Sequence, residues 1–220
     1  MRTSASLVWP TLSRPSARPH SSAEPPIFWV VAGPNGSGKS SFYQTLEFES
    51  SARSIWIINP DLLTLRIQQV EGLELRAANL QAVQRVEAWL EVSIRAHQTV
   101  GVETVLSTSK YRRLVEAAKA LLFQLRLTYI ILDSPKRNIE RVRLRVKMGG
   151  HAVPEDKIVE RYARSLEQMP WFLEQADEAW LYDNSDTSPR LIGRKHAGVI
   201  TLDSDALPQV VAAVETIRTQ

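Results

Sequence analysis

Ile27-Phe28-Trp29-Val30-Val31-Ala32 runs directly into Gly33-Pro34-Asn35-Gly36-Ser37-Gly38-Lys39-Ser40. The first six residues form a short, wholly apolar run, the pattern of a strand buried on both faces. The next eight match G-x-x-x-x-G-K-[ST], the P-loop pattern, in full. A glycine-rich turn can point successive backbone N–H groups inward around phosphate oxygens, where a Cβ would stand in the way. A helix opening at Lys39 adds its positive N-terminus to the same anion. Gly33, Pro34, Asn35, Gly36, Ser37, Gly38, Lys39, Ser40 and Ser41 are therefore the expected nucleotide site. Lys39 is expected on the β- and γ-phosphates of ATP and the Ser40 hydroxyl on Mg²⁺.

Outward from that stretch, apolar runs alternate with amphipathic ones, which predicts an α/β fold with a mainly parallel sheet. The expected elements are a helix over Lys39–Glu47, a strand over Ile55–Ile58 and a helix over Asp61–Gln69. Ala82, Val86, Trp89, Leu90 and Ile94 repeat at three- and four-residue spacing, predicting one long helix over Glu74–His97. A strand over Thr99–Leu106, a helix over Tyr111–Phe123 and a strand over Leu125–Leu132 follow. Then come a basic helix over Arg137–Lys147, a helix from Pro154 to Ala176, a strand over Ala179–Tyr182, a strand near Leu191–Ile200 and a terminal helix from Pro208.

The chain has 220 residues and no cysteine, with 27 basic residues against 24 acidic and a net charge of +3. Without cysteine there is no disulfide scaffold, no thiolate metal site and no catalytic thiol, so a reducing, cytoplasmic setting is expected. Arg2, Arg14 and Arg18 fall in the first 26 residues beside Glu24, which leaves the rest nearly neutral. Long nucleic acid is thus not an expected partner. Those 26 residues hold five prolines among Ser and Arg; they read as a leader without structure, or one created by a start codon set too early, ahead of a single domain over 27–220. No apolar run approaches the ~20 residues of a membrane span.

In an open α/β sheet, ligands gather at the carboxyl ends of the strands, and four acidic residues are expected there: Asp61, Glu103, Asp133 and Asp183. Asp61 also sits where a helix N-cap would. Glu103, flanked by Val102 and Thr104, is a carboxylate in an apolar strand, and buried charges are usually paired or bound to metal or ligand. Asp133 fits the Mg²⁺-holding Asp of many P-loop ATPases as well as it fits a turn. Arg137, Arg141 and Arg145, spaced by four, form a basic stripe on one helix face. With Gly149-Gly150-His151 behind it, the helix reads as a lid over phosphates, spanning about 136–165.

Taken together, Gly33–Ser40, Asn59-Pro60-Asp61 with Arg66, Glu103-Thr104-Val105-Leu106-Ser107-Thr108, and Gly149-Gly150-His151-Ala152-Val153-Pro154 leading to Arg161-Tyr162-Ala163-Arg164 resemble the zeta toxin family of P-loop kinases. The likeness runs from about Ile27 to Ser185. It implies a three-layer α/β/α core like that of nucleotide kinases, with an Arg-rich helical lid. It implies transfer of the ATP γ-phosphoryl to a hydroxyl of UDP-N-acetylglucosamine or a similar sugar nucleotide, and it admits an antitoxin protein as partner. By the same likeness Asp61 is the base, Lys39 the phosphate lysine, and Arg141, Arg145 and Arg161 hold the transferring phosphate. Arg66, Glu103 and Thr104 join Asp61 in lining the acceptor site. The Gly-Gly-His-x-Val-Pro lid differs from that of the best-known zeta toxins. Other readings on the same scaffold are a kinase of another small molecule or of a polynucleotide end, and a partner-regulated ATPase or switch with Asp133 holding Mg²⁺.

Overall fold

The computed structural model describes residues 24–42 and 55–218. Of the helix expected over Lys39–Glu47, residues 39–42 are described and helical (α1); its remainder and the first 23 residues lie outside the described part.

The strands are β1 (Ile27–Ala32), β2 (Ile57–Ile58), β3 (Val100–Thr104), β4 (Gln124–Ile131), β5 (Glu178–Asp183), β6 (Arg190–His196) and β7 (Val199–Leu202). They form one sheet in the order β2-β3-β1-β4-β5-β6-β7. Pairing is parallel from β2 through β5 and antiparallel across β6 and β7. From β1 the chain goes first to the β2–β3 side and then to the β4–β5 side. The carboxyl end of β1, where the glycine-rich turn begins, is thus the point at which strand order reverses and a crevice opens.

The helices are α2 (Pro60–Glu71), α3 (Leu75–Arg95), α4 (Arg112–Ala120), α5 (Pro135–Lys147), α6 (Glu155–Gln175) and α7 (Pro208–Arg218). α2 begins where the Asn59 side chain accepts from the backbone N–H groups of Asp61 and Leu62, with Pro60 in the first turn, and ends at Gly72 in the left-handed conformation. Of the stripe read from the sequence, α3 buries Ala82, Val86, Leu90 and Ile94, with Trp89 half-buried beside them and Ala78 buried one turn earlier. One face of the sheet carries Phe28, Val30, Val102, Leu127 and Tyr129, packed with residues of α3, α4, α6 and α7. On the other, Val31 and Ile130 pack with Trp29, Ile57, Tyr182 and Phe42 of α1.

The strand expected near Leu191–Ile200 is in fact a hairpin. β6 turns into β7 at Ala197 and Gly198, both with positive φ (48° and 79°), the primed-turn geometry that suits strand twist. Alanine at the first of these positions gives no turn signal, so the two strands read as one.

Candidate active site

The loop after β1 is held from several sides. Gly33 N–H donates to Thr104 O across β3 (3.2 Å) and Ser37 N–H to Pro34 O (3.2 Å). At Gly33, φ is +146° and an added Cβ would meet Ile130 O at 1.9 Å, so only glycine lets the loop lie against β4. Asn138 of α5, fully buried, donates to Asn35 O (2.6 Å). Arg161 of α6 donates to Asn35 Oδ1 (3.3 Å). Asn184, after β5, donates to Ser37 O (2.8 Å).

Inside the loop, the Lys39 ammonium donates to Gly33 O (2.8 Å) and Pro34 O (3.0 Å) and stands 4.0 Å from Glu103 Oε1. Burial pushes its pKa below the usual lysine value, and the carboxylates of Glu103 and Asp61 oppose that shift. Ser40 Oγ donates to the Glu103 carboxylate (2.8 and 3.1 Å). Asn59 Nδ2 donates to the same carboxylate (2.7 Å) and to Ser40 Oγ (3.3 Å). The strand order therefore sets an acid from the neighbouring strand beside the P-loop hydroxyl. A hydroxyl and a carboxylate are hard oxygen ligands, a donor set that fits Mg²⁺ completing its shell with phosphate oxygens and water.

These groups share a cavity of about 560 Å³. Its floor is the P-loop with Lys39 and Ser40. One wall is α2 with Asp61, Leu62 and Leu65; another is α5 with Arg141 and Arg145, continued by His151; Asn184, Asp186 and Thr187 close it beyond β5. Because Asn59 takes the capping position, the Asp61 carboxylate is not needed as the cap of α2 and lines the same cavity as the phosphate cradle. Arg141 is held by Asn184 O (2.6 Å) and Arg145 by His151 O (3.0 Å), and both side chains line the cavity.

Residues 14–189 match the zeta toxin family. The chain belongs to that family of P-loop kinases. An uncharacterized protein of Haemophilus influenzae is 30% identical over 130 residues, 59% of this chain and 88% of that one. Among solved structures, the PezAT chromosomal toxin–antitoxin system of Streptococcus pneumoniae superposes with a TM-score of 0.59 at 16% identity, covering 92% of this chain and 88% of that one. The AvrRxo1-ORF1:ORF2 complex with ATP gives a TM-score of 0.60 at 12% identity, covering 87% of this chain. This chain spans 63% of the length of that one. At such identities the two structures bear on the fold, which is the P-loop kinase arrangement of a mostly parallel sheet.

Within this zeta toxin fold, the residues singled out from the sequence separate into groups. Lys39, Ser40, Ser41, Asp61, Glu103, Arg141 and Arg145 line the cavity together. Arg161 lies behind the P-loop on the Asn35 side chain. Arg66 is exposed on α2 and Thr104 spends its hydroxyl on Leu106 N–H (3.0 Å), so neither is on the cavity wall. Asp133 accepts from Arg137 (2.7 Å) and Ser134 (3.0 Å), away from Ser40; the carboxylate beside the P-loop hydroxyl is Glu103. Asp183 accepts from Ser185 N–H (2.9 Å) and shapes its own loop. Asn59, Asn138 and Asn184 bring P-loop, α2 and α5 into register. Asn59 entered the sequence reading only within the Asn59-Pro60-Asp61 motif; Asn138, inside a basic helix, and Asn184, beside a turn, gave no signal of a site.

Proposed function

We propose that this zeta toxin family protein transfers the γ-phosphoryl group of ATP to a hydroxyl of UDP-N-acetylglucosamine or a similar sugar nucleotide. The observation that carries this reading is that the Asp61 carboxylate, paired only with His151 at 3.6 Å among the ion pairs of the described residues, shares one cavity with the P-loop lysine and serine. The P-loop N–H groups and Lys39 hold the triphosphate. Ser40 and Glu103 would hold Mg²⁺, which neutralises charge on the β- and γ-phosphates. Asp61 accepts the proton of the acceptor hydroxyl as its oxygen bonds to the γ-phosphorus and the bond to the ADP oxygen breaks. Arg141 and Arg145, with Arg161 bracing Asn35, stabilise the charge on the transferring group; an arginine in that role contributes ~10³ to 10⁵ in rate.

The domain bounds set in the sequence, 27–220 with a lid at about 136–165, belong to this proposal, as does an antitoxin protein that blocks the ATP site. A toxin–antitoxin system among the similar folds supports that partner. Among the described residues no helix is long and apolar enough to cross a membrane, and a cytoplasmic setting is proposed with the rest.

The test is transfer from γ-labelled ATP with Mg²⁺ to a panel of UDP-N-acetylglucosamine, other sugar nucleotides, nucleosides and oligonucleotides, with Lys39→Ala and Asp61→Asn as controls. A labelled sugar nucleotide that disappears in both controls supports the proposal. Label on an oligonucleotide would replace the acceptor. Free phosphate alone, insensitive to Asp61→Asn, would overturn the kinase reading.

A further inference from the structure

The turn that ends α5 returns the chain to the cavity. Gly150 N–H donates to Arg145 O (2.9 Å) and Gly149 N–H to Val146 O (3.0 Å), with Gly149 at φ +89°. A Cβ on Gly150 would lie 2.6 Å from Arg145 Cγ. The glycine pair is thus a cap closed by backbone hydrogen bonds that lays the next residue, His151, against Arg145.

His151 Nε2 lies 3.6 Å from Asp61 Oδ2 and 3.4 Å from Arg145 Nη2. The two neighbours make opposite demands. Arg145 only donates, so a neutral imidazole must offer it the Nε2 lone pair. Asp61 as a carboxylate only accepts, so it calls for a proton on the same nitrogen. We propose that His151 is a positioning residue for Asp61 that sets the pH at which the base is free. This rests on the reading of Asp61 as base and deepens it.

Protonated, His151 donates to Asp61, occupies the oxygen that would receive the acceptor's proton, and repels Arg145. Neutral, it accepts from Arg145 and leaves Asp61 to the acceptor. The charged groups around it are Asp61 of α2 and Arg145 of α5, with Lys39 of α1, Glu103 of β3, Arg141 of α5 and Asp186 of the loop after β5 on the same cavity. Burial first, then Arg145, hold its pKa below the ordinary histidine value, while Asp61 pulls it up. The neutral form therefore prevails at neutral pH, and transfer declines as acid protonates His151 below that ordinary value.

Two measurements test this. In the protein without added ligand, the histidine ring protons are followed by NMR against pH in wild type and in Asp61→Asn; the chain has four histidines, and His151→Gln assigns the resonance. The His151 titration is expected below the ordinary value, and lower still in Asp61→Asn. In the second measurement, kcat is followed against pH with ATP, Mg²⁺ and UDP-N-acetylglucosamine. The acid limb is expected to move to lower pH by about one unit in His151→Gln, since glutamine keeps a donor and an acceptor but does not titrate. A His151 titration unchanged by Asp61→Asn overturns the pairing, and an acid limb unchanged in His151→Gln overturns its control of the base. If wild-type protein labels no acceptor, the proposed function fails, and the NMR measurement still decides whether His151 and Asp61 are coupled.

Discussion

Lys39 is an ammonium ion almost closed off from water, at 6% exposure, and it survives there because two loop carbonyls and the Glu103 carboxylate surround it. Removing a charge from such a site costs more than the contact distance suggests, since the remaining ion stays buried. Glu103→Gln is therefore expected to weaken ATP binding and to raise the Mg²⁺ concentration for half-maximal transfer by roughly ten-fold; a Mg²⁺ titration of the transfer rate checks it. Asn59 has a double task, capping α2 with its oxygen and holding Glu103 with its amide nitrogen. Asn59→Ala should lose about 1 kcal/mol of stability in a denaturant titration from the cap alone, and kcat should fall with it because Asp61 begins the same helix turn.

At the scale of elements, α5 is tied to the P-loop by Asn138 and to the β5–β6 loop by Arg141, so the basic helix is docked as well as charged. Asn138→Ala strands a buried carbonyl at Asn35, and a loss of about 1–3 kcal/mol is expected from denaturant unfolding, together with weaker ATP binding by calorimetry. The α5–α6 turn makes a separate prediction. Gly150→Ala forces its Cβ into Arg145 Cγ and C=O, so it should lower kcat through displaced Arg145 and His151 while leaving the far-UV spectrum of the sheet and helices unchanged. α6 is anchored to β4 by Tyr129 on Ser165 (3.0 Å) and to the residue just past it by Tyr162 on Leu132 O (2.7 Å), which fixes where Arg161 meets Asn35.

For the whole molecule, stability resides in the face of the sheet covered by α3, α4, α6 and α7. Leu90, fully buried in the middle of the α3 stripe, should cost about 2–5 kcal/mol when changed to Ala. That loss is expected in chemical denaturation without a shift in the pH profile of transfer, since the cavity lies at the strand ends and not in this core. The P-loop, the alternation of strands and helices and the α3 stripe were all legible in the sequence. They depend on glycine spacing, on short apolar runs and on an apolar period of 3.6, patterns that act within a few turns of chain. So was the presence of acids at strand ends, but not which acid meets the P-loop. Asp133, just past an apolar run, has the local pattern of a Mg²⁺-holding acid, yet the order of the strands sets Glu103 against Ser40, 63 residues away. In the same way Asn138 reaches Asn35 over 103 residues, and His151 reaches Asp61 only because a glycine cap folds the chain back over the cavity. Local pattern determined the elements and the phosphate cradle; strand order, register and the return of α5 decided the company that each side chain keeps, because those depend on crossovers between distant segments that no short-range periodicity encodes.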